Sequence, residues 1–528
     1  MDGRPAREVG RFGLVEKGTT MDAGSADGAE RREAVRGGRA ASALDRRSLL
    51  RAVAVGGVGA AVIGLGWAPR ALAQATPGSS PPARVAELMI DLPAEPPTLD
   101  PALAYDADAW SVVHSVYDAL VQYGPDGVPE PLLAESLTLL DPLTYEVRLR
   151  PGVVFHNGEP FDARSVTASV AHLVDPDVNS QVAEIFRVIE RVEEVEPLLV
   201  RLRLTGPAPW LPAQMAAWLA MLPPAYAADP TTDLGANPIG TGPYRFAGWN
   251  RGSEVALEAN PDYFATSPKG RPVADRVAYR FVPDAGTRVA DLLAGAGDLV
   301  RAVPVDQTET VESGGARVVV QPLSGSAWVR VPTDEAPFDD VRVRRALNHA
   351  VDVDAVRVAL LGDAGARLPN FFVPGGLGFD PDLRPYAYDP DRARALLAEA
   401  GHPDGFATTL EHSADERADV VTAIAGMLEA VGVRAEVRSV EKATFNGTWT
   451  DPSAAPLRFV TWRPLFDPYT LLDLLIANGG YLSRHDNPTA QPLIDAAAVE
   501  TDPAARAELY RQLGRVLHDE PAAIYLYG

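Results

Sequence analysis

The chain has no cysteine in 528 residues. That excludes disulfides, thiolate metal sites and cysteine nucleophiles, and with them attachment to lipid through an N-terminal cysteine. Positive charge is scarce. The 48 Lys/Arg stand against 71 Asp/Glu for a net charge of -23, and so acidic a surface repels phosphate backbones and anionic lipid, so no nucleic-acid partner is expected. Local catalytic signatures are missing as well: there is no GxSxG elbow, HExxH, P-loop or complete GxGxxG. The eight histidines, at 114, 156, 172, 349, 402, 412, 485 and 518, never fall at the i, i+3 or i, i+4 spacing of helical metal ligands. No metal, cofactor or catalytic residue is expected. Adjacent acids such as Asp339-Asp340 and Glu193-Glu194 read as caps or solvated charge, because neighbours on a helix do not face each other. A secreted hydrolase with carboxylates drawn from distant parts of the chain remains the enzyme alternative.

What is present begins with an address. Asp45 to Arg51 read DRRSLLR, seventeen uncharged residues with five glycines follow from Ala52 to Ala68, and then comes PRALAQA. A basic segment, a short apolar segment and the small-residue site Ala71-Leu72-Ala73 make an export signal over residues 45–73, with Ala73-Gln74-Ala75 as a second cut. The pair Arg46 and Arg47 resembles a twin-arginine signal. Asp45 and Leu49 stand where that signal usually carries Ser or Thr and Phe, so the general secretory route stays open. The glycine-rich apolar segment favours the twin-arginine route, and its length falls at the short limit of the roughly 20 residues of a spanning helix. Residues 1–44 are expected to be an unstructured extension, with Met21 as an alternative start, and residues 74–83 a flexible lead. Removing residues 1–73 takes away twelve Lys/Arg and eight Asp/Glu, which leaves a mature charge of -27.

After the lead, strands and helices alternate to the end of the chain. Thr144–Arg150, TYEVRLR, puts Tyr145, Val147 and Leu149 on one face with the period of a half-exposed strand, and Val200–Leu204 repeats the pattern. Asp389-Pro390-Asp391 supplies an N-cap, a proline at the first helical position and an acid in the first turn. Ala393, Leu396, Leu397 and Ala400 then share a face, and Gly401 closes the helix. In PFDDVRVRRALNHAV, Asp339 or Asp340 is the cap and Val343, Ala346, Leu347 and Ala350 face a core, with Arg342, Arg344 and Arg345 toward solvent or a partner element. With 46% apolar residues, enough for large cores, and 45 Gly and 47 Pro spread without period, the chain reads as two or three α/β domains rich in ordered loops.

Four blocks carry a resemblance: EPPTLDPALAYDADAWSVVHSVYDALVQYG from Glu95, LLAESLTLLDPLTYEVRLRPGVVFHNGEPFDARSVTASV from Leu132, NPIGTGPYRFAGWNRGSEVALEANPDYF from Asn237, and PFDDVRVRRALNHAVDVDAV from Pro337. Together they resemble the family 5 extracellular solute-binding proteins of ABC importers, the class that includes dipeptide-, oligopeptide- and nickel-binding members, over almost all of residues 85–528. Within the blocks, Asn157-Gly158 reads as a turn, Asp162 as a helix cap, and Gly240 and Gly242 as a tight turn entering a strand at Tyr244.

The resemblance implies an α/β, two-lobed periplasmic-binding-protein fold of type II (large, cluster C form) with a hinge and an extra subdomain in lobe I. Lobe I is placed at 84–325, lobe II at 326–520, and 521–528 at the truncated start of a return to lobe I, since members of the family continue for some tens of residues past PAAIYLYG. A version extended by the downstream reading frame is expected to be the more stable. The implied function is capture of a small solute, an oligopeptide or another small organic or chelate ligand, for delivery to an ABC permease and its ATPase. The implied protein is a periplasmic monomer with its signal cleaved by the export machinery after the translocon; a ligand sensor is the further alternative.

Cleft candidates from the family's ligand-facing segments are Tyr105 and Asp106 in lobe I, Trp328 near the lobe crossing, and Trp462, Arg463 and Asp467 in lobe II. Arg463 could pair with a carboxylate and Trp462 could stack on a planar group. Peptide-binding relatives place an acid a few residues before the Asp-Pro step to receive the peptide amino terminus. Here Trp-Arg-Pro-Leu-Phe precedes Asp467-Pro468, which argues against classical dipeptide recognition.

Overall fold

The computed structural model describes residues 85–528 apart from 106, 126, 321–324, 450, 452–453, 463–466 and 481. The export signal, with Arg46, Arg47, Ala71 and Ala73, lies outside the described residues, as do Asp106 and Arg463.

Two five-stranded mixed sheets organise the described chain. The first runs, edge to edge, Leu299–Val300, Val85–Leu92, Ala274–Phe281, Glu254–Ala259 and Tyr244–Asn250. Val85–Leu92 is parallel to both its neighbours, and the last two strands are antiparallel. Helix Ala107–Val116 follows the first strand and buries Ala109, Val112, Val113 and Val116. Between that helix and Tyr244 the chain builds a subdomain around a four-stranded antiparallel sheet, Ala134–Asp141, Thr144–Leu149, Leu199–Leu204 and Ile189–Glu196. Tyr145, Val147 and Leu149 turn inward as their alternation predicts, against Val166 and Val170 of helix Ala163–Val174. Asp162 caps that helix in a reciprocal capping box with Ser165. Gly158 takes φ +86° in the expected turn.

Gly240 and Gly242 serve a purpose different from the tight turn expected of them. Neither has a positive φ. A Cβ on Gly240 would lie 2.2 Å from the Val116 carbonyl oxygen, and one on Gly242 2.6 Å from that of Ser115. The glycines let the backbone lie directly on the end of helix Ala107–Val116, where Gly242 N–H donates to Val116 O at 2.8 Å.

The second sheet runs Val433–Val440, Phe406–Ser413, Leu457–Trp462, Ser326–Arg330 and Ala523–Tyr527. All five residues of Ser326–Arg330 are buried, because helices cover both faces. Ala327, Val329, Ile524 and Leu526 face a core shared with helices Val341–Ala350, Pro390–Glu399 and Ala418–Glu429. Trp328, Val460, Ala523 and Tyr525 face the opposite core, with helices Tyr469–Leu475, Ala490–Val499 and Pro503–Asp519. The final strand therefore corrects one expectation: Ala523–Tyr527 does not turn back toward the first lobe but pairs antiparallel with Ser326–Arg330 inside the second. Asp389 and Asp340 cap their helices as expected. Arg344 is buried at 5% exposure and donates to the carbonyls of Pro521, Phe338 and Asp339, which ties the final strand's entry to its helix.

Candidate functional site

The loop after the first strand is a rigid platform. Asp100 accepts from Ala102 N–H at 2.9 Å and faces His172 Nε2 at 3.0 Å, which pins the TLDP turn to helix Ala163–Val174. Tyr105 is fixed at the far end of this loop. Its hydroxyl donates to Ala102 O at 2.7 Å and accepts from Gln181 N–H at 2.7 Å.

That ring begins an aromatic wall. Tyr105 lies 5.7 Å from Trp218, Trp218 lies 4.6 Å from Trp110 edge to face, and Trp110 lies 5.9 Å from His114. Trp110 spends its indole N–H on Ala104 O at 3.0 Å. Among the described residues, the buried Nε1 of Trp218 has no partner. Between helices Ala107–Val116 and Leu211–Trp218 lies a hollow of about 20 Å³, lined by Trp110, His114, Tyr117, Asp118 and Trp218 among others. A hollow of this size takes one or two water molecules, so it is the aromatic rings beside it, with Trp218 Nε1 as a donor without a partner among the described residues, that suit an apolar or planar ligand group. Of these rings, Tyr105 is among the cleft candidates in the sequence and Trp110 and Trp218 are not. Trp110 lies five residues after Tyr105, within the same block, and was readable there; Trp218 arrives only through the fold.

The second lobe meets this subdomain directly. Trp210, at the start of helix Leu211–Trp218, stacks on Tyr469 with centroids 4.2 Å apart and planes inclined by 2°. Tyr469 is set by Asp467, whose carboxylate accepts from Tyr469 N–H at 3.0 Å and takes the Arg506 guanidinium in a fork at 2.5 and 2.9 Å. Asp467 is thus filled by Arg506, and both charges reach Tyr145 of the first lobe, whose hydroxyl burial pushes up to about 12. Trp462 ends its strand half-buried opposite Ser326. Trp328, 2% exposed, packs edge-on to Phe371 in the core beneath the sheet. The structure therefore brings Trp462 and Asp467 to one end of the second lobe and Tyr105 to the aromatic wall of the first, with Trp328 apart from both.

One acid at this end was not anticipated. Glu416 follows the carboxyl end of strand Phe406–Ser413 and accepts from Thr461 N–H at 3.3 Å and Thr461 Oγ1 at 2.9 Å, beside Trp462. Burial raises its pKa above the usual carboxylate value. Among the described residues no cation lies within ion-pair distance of it. Ligands of open α/β sheets bind outside the carboxyl ends of parallel strands, where Glu416 stands. Its distance in sequence from the Asp467-Pro468 step hid it. No group of His, Asp or Glu among the described residues could hold a metal ion, and no helix among them is long and apolar enough to cross a membrane.

Comparison with known proteins places these features. The family model for bacterial extracellular solute-binding proteins, family 5 (middle), matches residues 128–482. The glutathione-binding protein GsiB of Pectobacterium atrosepticum is 33% identical over 351 residues, 65% of this chain and 67% of that protein. GsiB of Escherichia coli O1:K1 / APEC is 28% identical over 444 residues, 80% and 85% of the two chains. Among solved structures, the periplasmic binding protein DppA of Helicobacter pylori, in complex with the peptide STSA, superposes with a TM-score of 0.72 at 25% identity over 84% of this chain and 93% of that one. NikA of Brucella suis, in complex with Fe(III)-EDTA, gives a TM-score of 0.73 at 25% identity over 84% and 93%. The fold is that of the type II periplasmic binding proteins, and the relatives are binding proteins of transporters. With more than half its length matched, the chain belongs to the family 5 bacterial extracellular solute-binding proteins, the substrate-binding components of ABC importers.

Proposed function

We infer that this binding protein takes a short, peptide-like solute bearing an ammonium group, and that glutathione is the first solute to test. The observation that carries this reading is Glu416, a carboxylate at the sheet's carboxyl end that has two hydroxyl- and amide-type partners and no cation among the described residues. It offers the acid that is missing before Asp467-Pro468. The wall of Tyr105, Trp110 and Trp218 would bury the ligand's apolar stem, and Trp218 Nε1 would orient it. The relatives at 28–33% identity carry the name glutathione-binding protein, which supports a solute of this class. Trp462 and Arg463 stay candidates for the second lobe's side, Asp106 for the first, and Asp467 acts by holding Tyr469.

The protein works as a monomer in the periplasm. It is exported through the signal at residues 45–73 with Arg46 and Arg47 as the twin-arginine pair, released by a cut after Ala73 and not lipid-anchored. It needs no cofactor and catalyses no reaction; ligand contacting both lobes favours the closed form, which docks on the permease. Mass spectrometry of the solute released from protein purified under native conditions, followed by calorimetry with that solute and with glutathione, tests the reading. A peptide-like amine that binds one to one is expected; a released solute without an amino group would contradict it.

A further inference from the structure

Tyr105 of the aromatic wall is held by a segment that lies far from it in the chain. Helix Ala163–Val174 ends at its cap, Asp175. The Asp175 carbonyl accepts from Val178 N–H at 3.2 Å and Asn179 N–H at 3.3 Å, and its carboxylate accepts from Asp177 N–H at 2.9 Å, which closes a tight turn. Asn179 then takes φ +55°, a left-handed conformation that asparagine tolerates better than most residues. The chain leaves that residue with Ser180 and the Gln181 N–H against the Tyr105 hydroxyl.

The hydrogen bonds at this junction share one acceptor. Ser180 Oγ donates to Ala102 O at 2.7 Å, and the Tyr105 hydroxyl donates to the same carbonyl at 2.7 Å. A carbonyl oxygen carries two lone pairs, so it takes both protons. The two hydroxyl oxygens lie 3.1 Å apart, and Gln181 N–H donates to the Tyr105 oxygen at 2.7 Å. The other end of the Ala102 peptide is held as well, since its N–H donates to Asp100, which faces His172 in the last turn of the helix. Ser180 is 8% exposed, so water does not compete for its bond.

A tyrosine side chain turns about only two bonds, so fixing its hydroxyl fixes its ring. The placement of Tyr105, 5.7 Å from Trp218 with the planes inclined by 56°, is therefore secured by a hydroxyl 75 positions further along the chain. We propose that Ser180 is a positioning residue of the solute site: it does not touch the solute, and it raises affinity by holding the Tyr105 ring in the wall. The inference rests on the reading that this wall contacts the solute. A ring released at its hydroxyl end must be ordered again when solute binds, and that cost is subtracted from the affinity.

The test is a double-mutant cycle on the full mature chain, titrated calorimetrically with the solute that co-purifies with it, whatever its class. Ser180→Ala and Tyr105→Phe break the junction from its two sides, and each should weaken binding about fivefold. Because the serine acts through the tyrosine hydroxyl, the double variant should bind as Tyr105→Phe alone does. Ser180→Ala should also change the near-ultraviolet circular dichroism, which reports fixed aromatic pairs, and keep the far-ultraviolet spectrum of the folded chain. Tyr105→Ala, which removes the ring, should weaken binding more than any of these. Either single variant binding as the unaltered protein does, or a double variant whose loss is the product of the two single losses, would overturn the proposal. Undiminished binding by Tyr105→Ala would instead take the ring out of the site and overturn the reading beneath it, whereas a released solute without an amino group contradicts the proposed solute class and leaves the cycle intact.

Discussion

Single residues set the constraints that are easiest to break. Gly240 is one: a methyl group there would meet Val116 O at 2.2 Å and the Tyr117 backbone at 2.9 Å. Gly240→Ala should destabilise the protein by about 1–3 kcal/mol, read from urea unfolding, because backbone rather than a pliant side chain must move. His156 is another. Its Nδ1 accepts from Gly240 N–H at 3.3 Å, so Nε2 donates to Gly242 O at 3.0 Å, and the ring is built to be neutral. Burial lowers its pKa to about 4, against about 6.5 in an unfolded chain. The neutral ring's contribution is therefore complete above about pH 6.5 and is lost as pH falls toward 4. Unfolding free energy should drop over that window by up to about 3 kcal/mol from this group, and His156→Gln should flatten the profile. Glu416 carries the opposite shift, so ligand affinity should begin to fall at a higher pH than an ordinary carboxylate would dictate, as a calorimetric pH series can show.

At the scale of elements, the sequence was readable wherever local chemistry decides. The helix Pro390–Glu399 has its Asp389 cap, its proline and its closing Gly401 in the positions that composition suggests. Elements fixed by distant partners were not readable. Arg458 occupies a strand position that alternation alone would leave ambiguous. It is fully buried, 3.0 Å from Glu411 and 4.0 Å over the Phe445 ring. Only the meeting of strands Leu457–Trp462 and Phe406–Ser413 accounts for a charge there. Arg458→Ala should cost about 3 kcal/mol, the low end for a broken buried pair, since Glu411 keeps Arg438 at 2.7 Å while the Phe445 and Thr448 carbonyls lose their donor. The stack of Trp210 on Tyr469 joins two elements separated by some 250 positions in the numbering, and no local pattern announces it. Tyr469→Ala should weaken solute binding by the stack's worth, about 0.5–1.5 kcal/mol, with Tyr469→Phe close to wild type in the same titration.

The whole molecule was legible through family resemblance more than through physics. Periodicity gave alternating strands and helices, whereas the two sheets, the inserted subdomain and their meeting came from blocks in a fixed order. The placement of the last strand shows where that reasoning failed: AAIYLY is apolar enough for either sheet, and its partner is chosen by Arg344 and Asn348, which bind the strand and its approach from helix Val341–Ala350. The candidate site divided in the same way. Tyr105 and Asp467 lay in recognisable segments, but Trp218 and Glu416 are joined to the site only by the chain's return.

In the proposed function one solute is gripped from both lobes. Calorimetric titration of the mature protein with its co-purified solute, repeated with Trp218→Phe from the first lobe and Glu416→Gln from the second, tests it most directly. Each substitution is predicted to weaken binding by about tenfold or more while leaving the thermal midpoint of the unliganded protein unchanged. Binding that neither substitution disturbs, or that only one lobe's substitution disturbs, would contradict it.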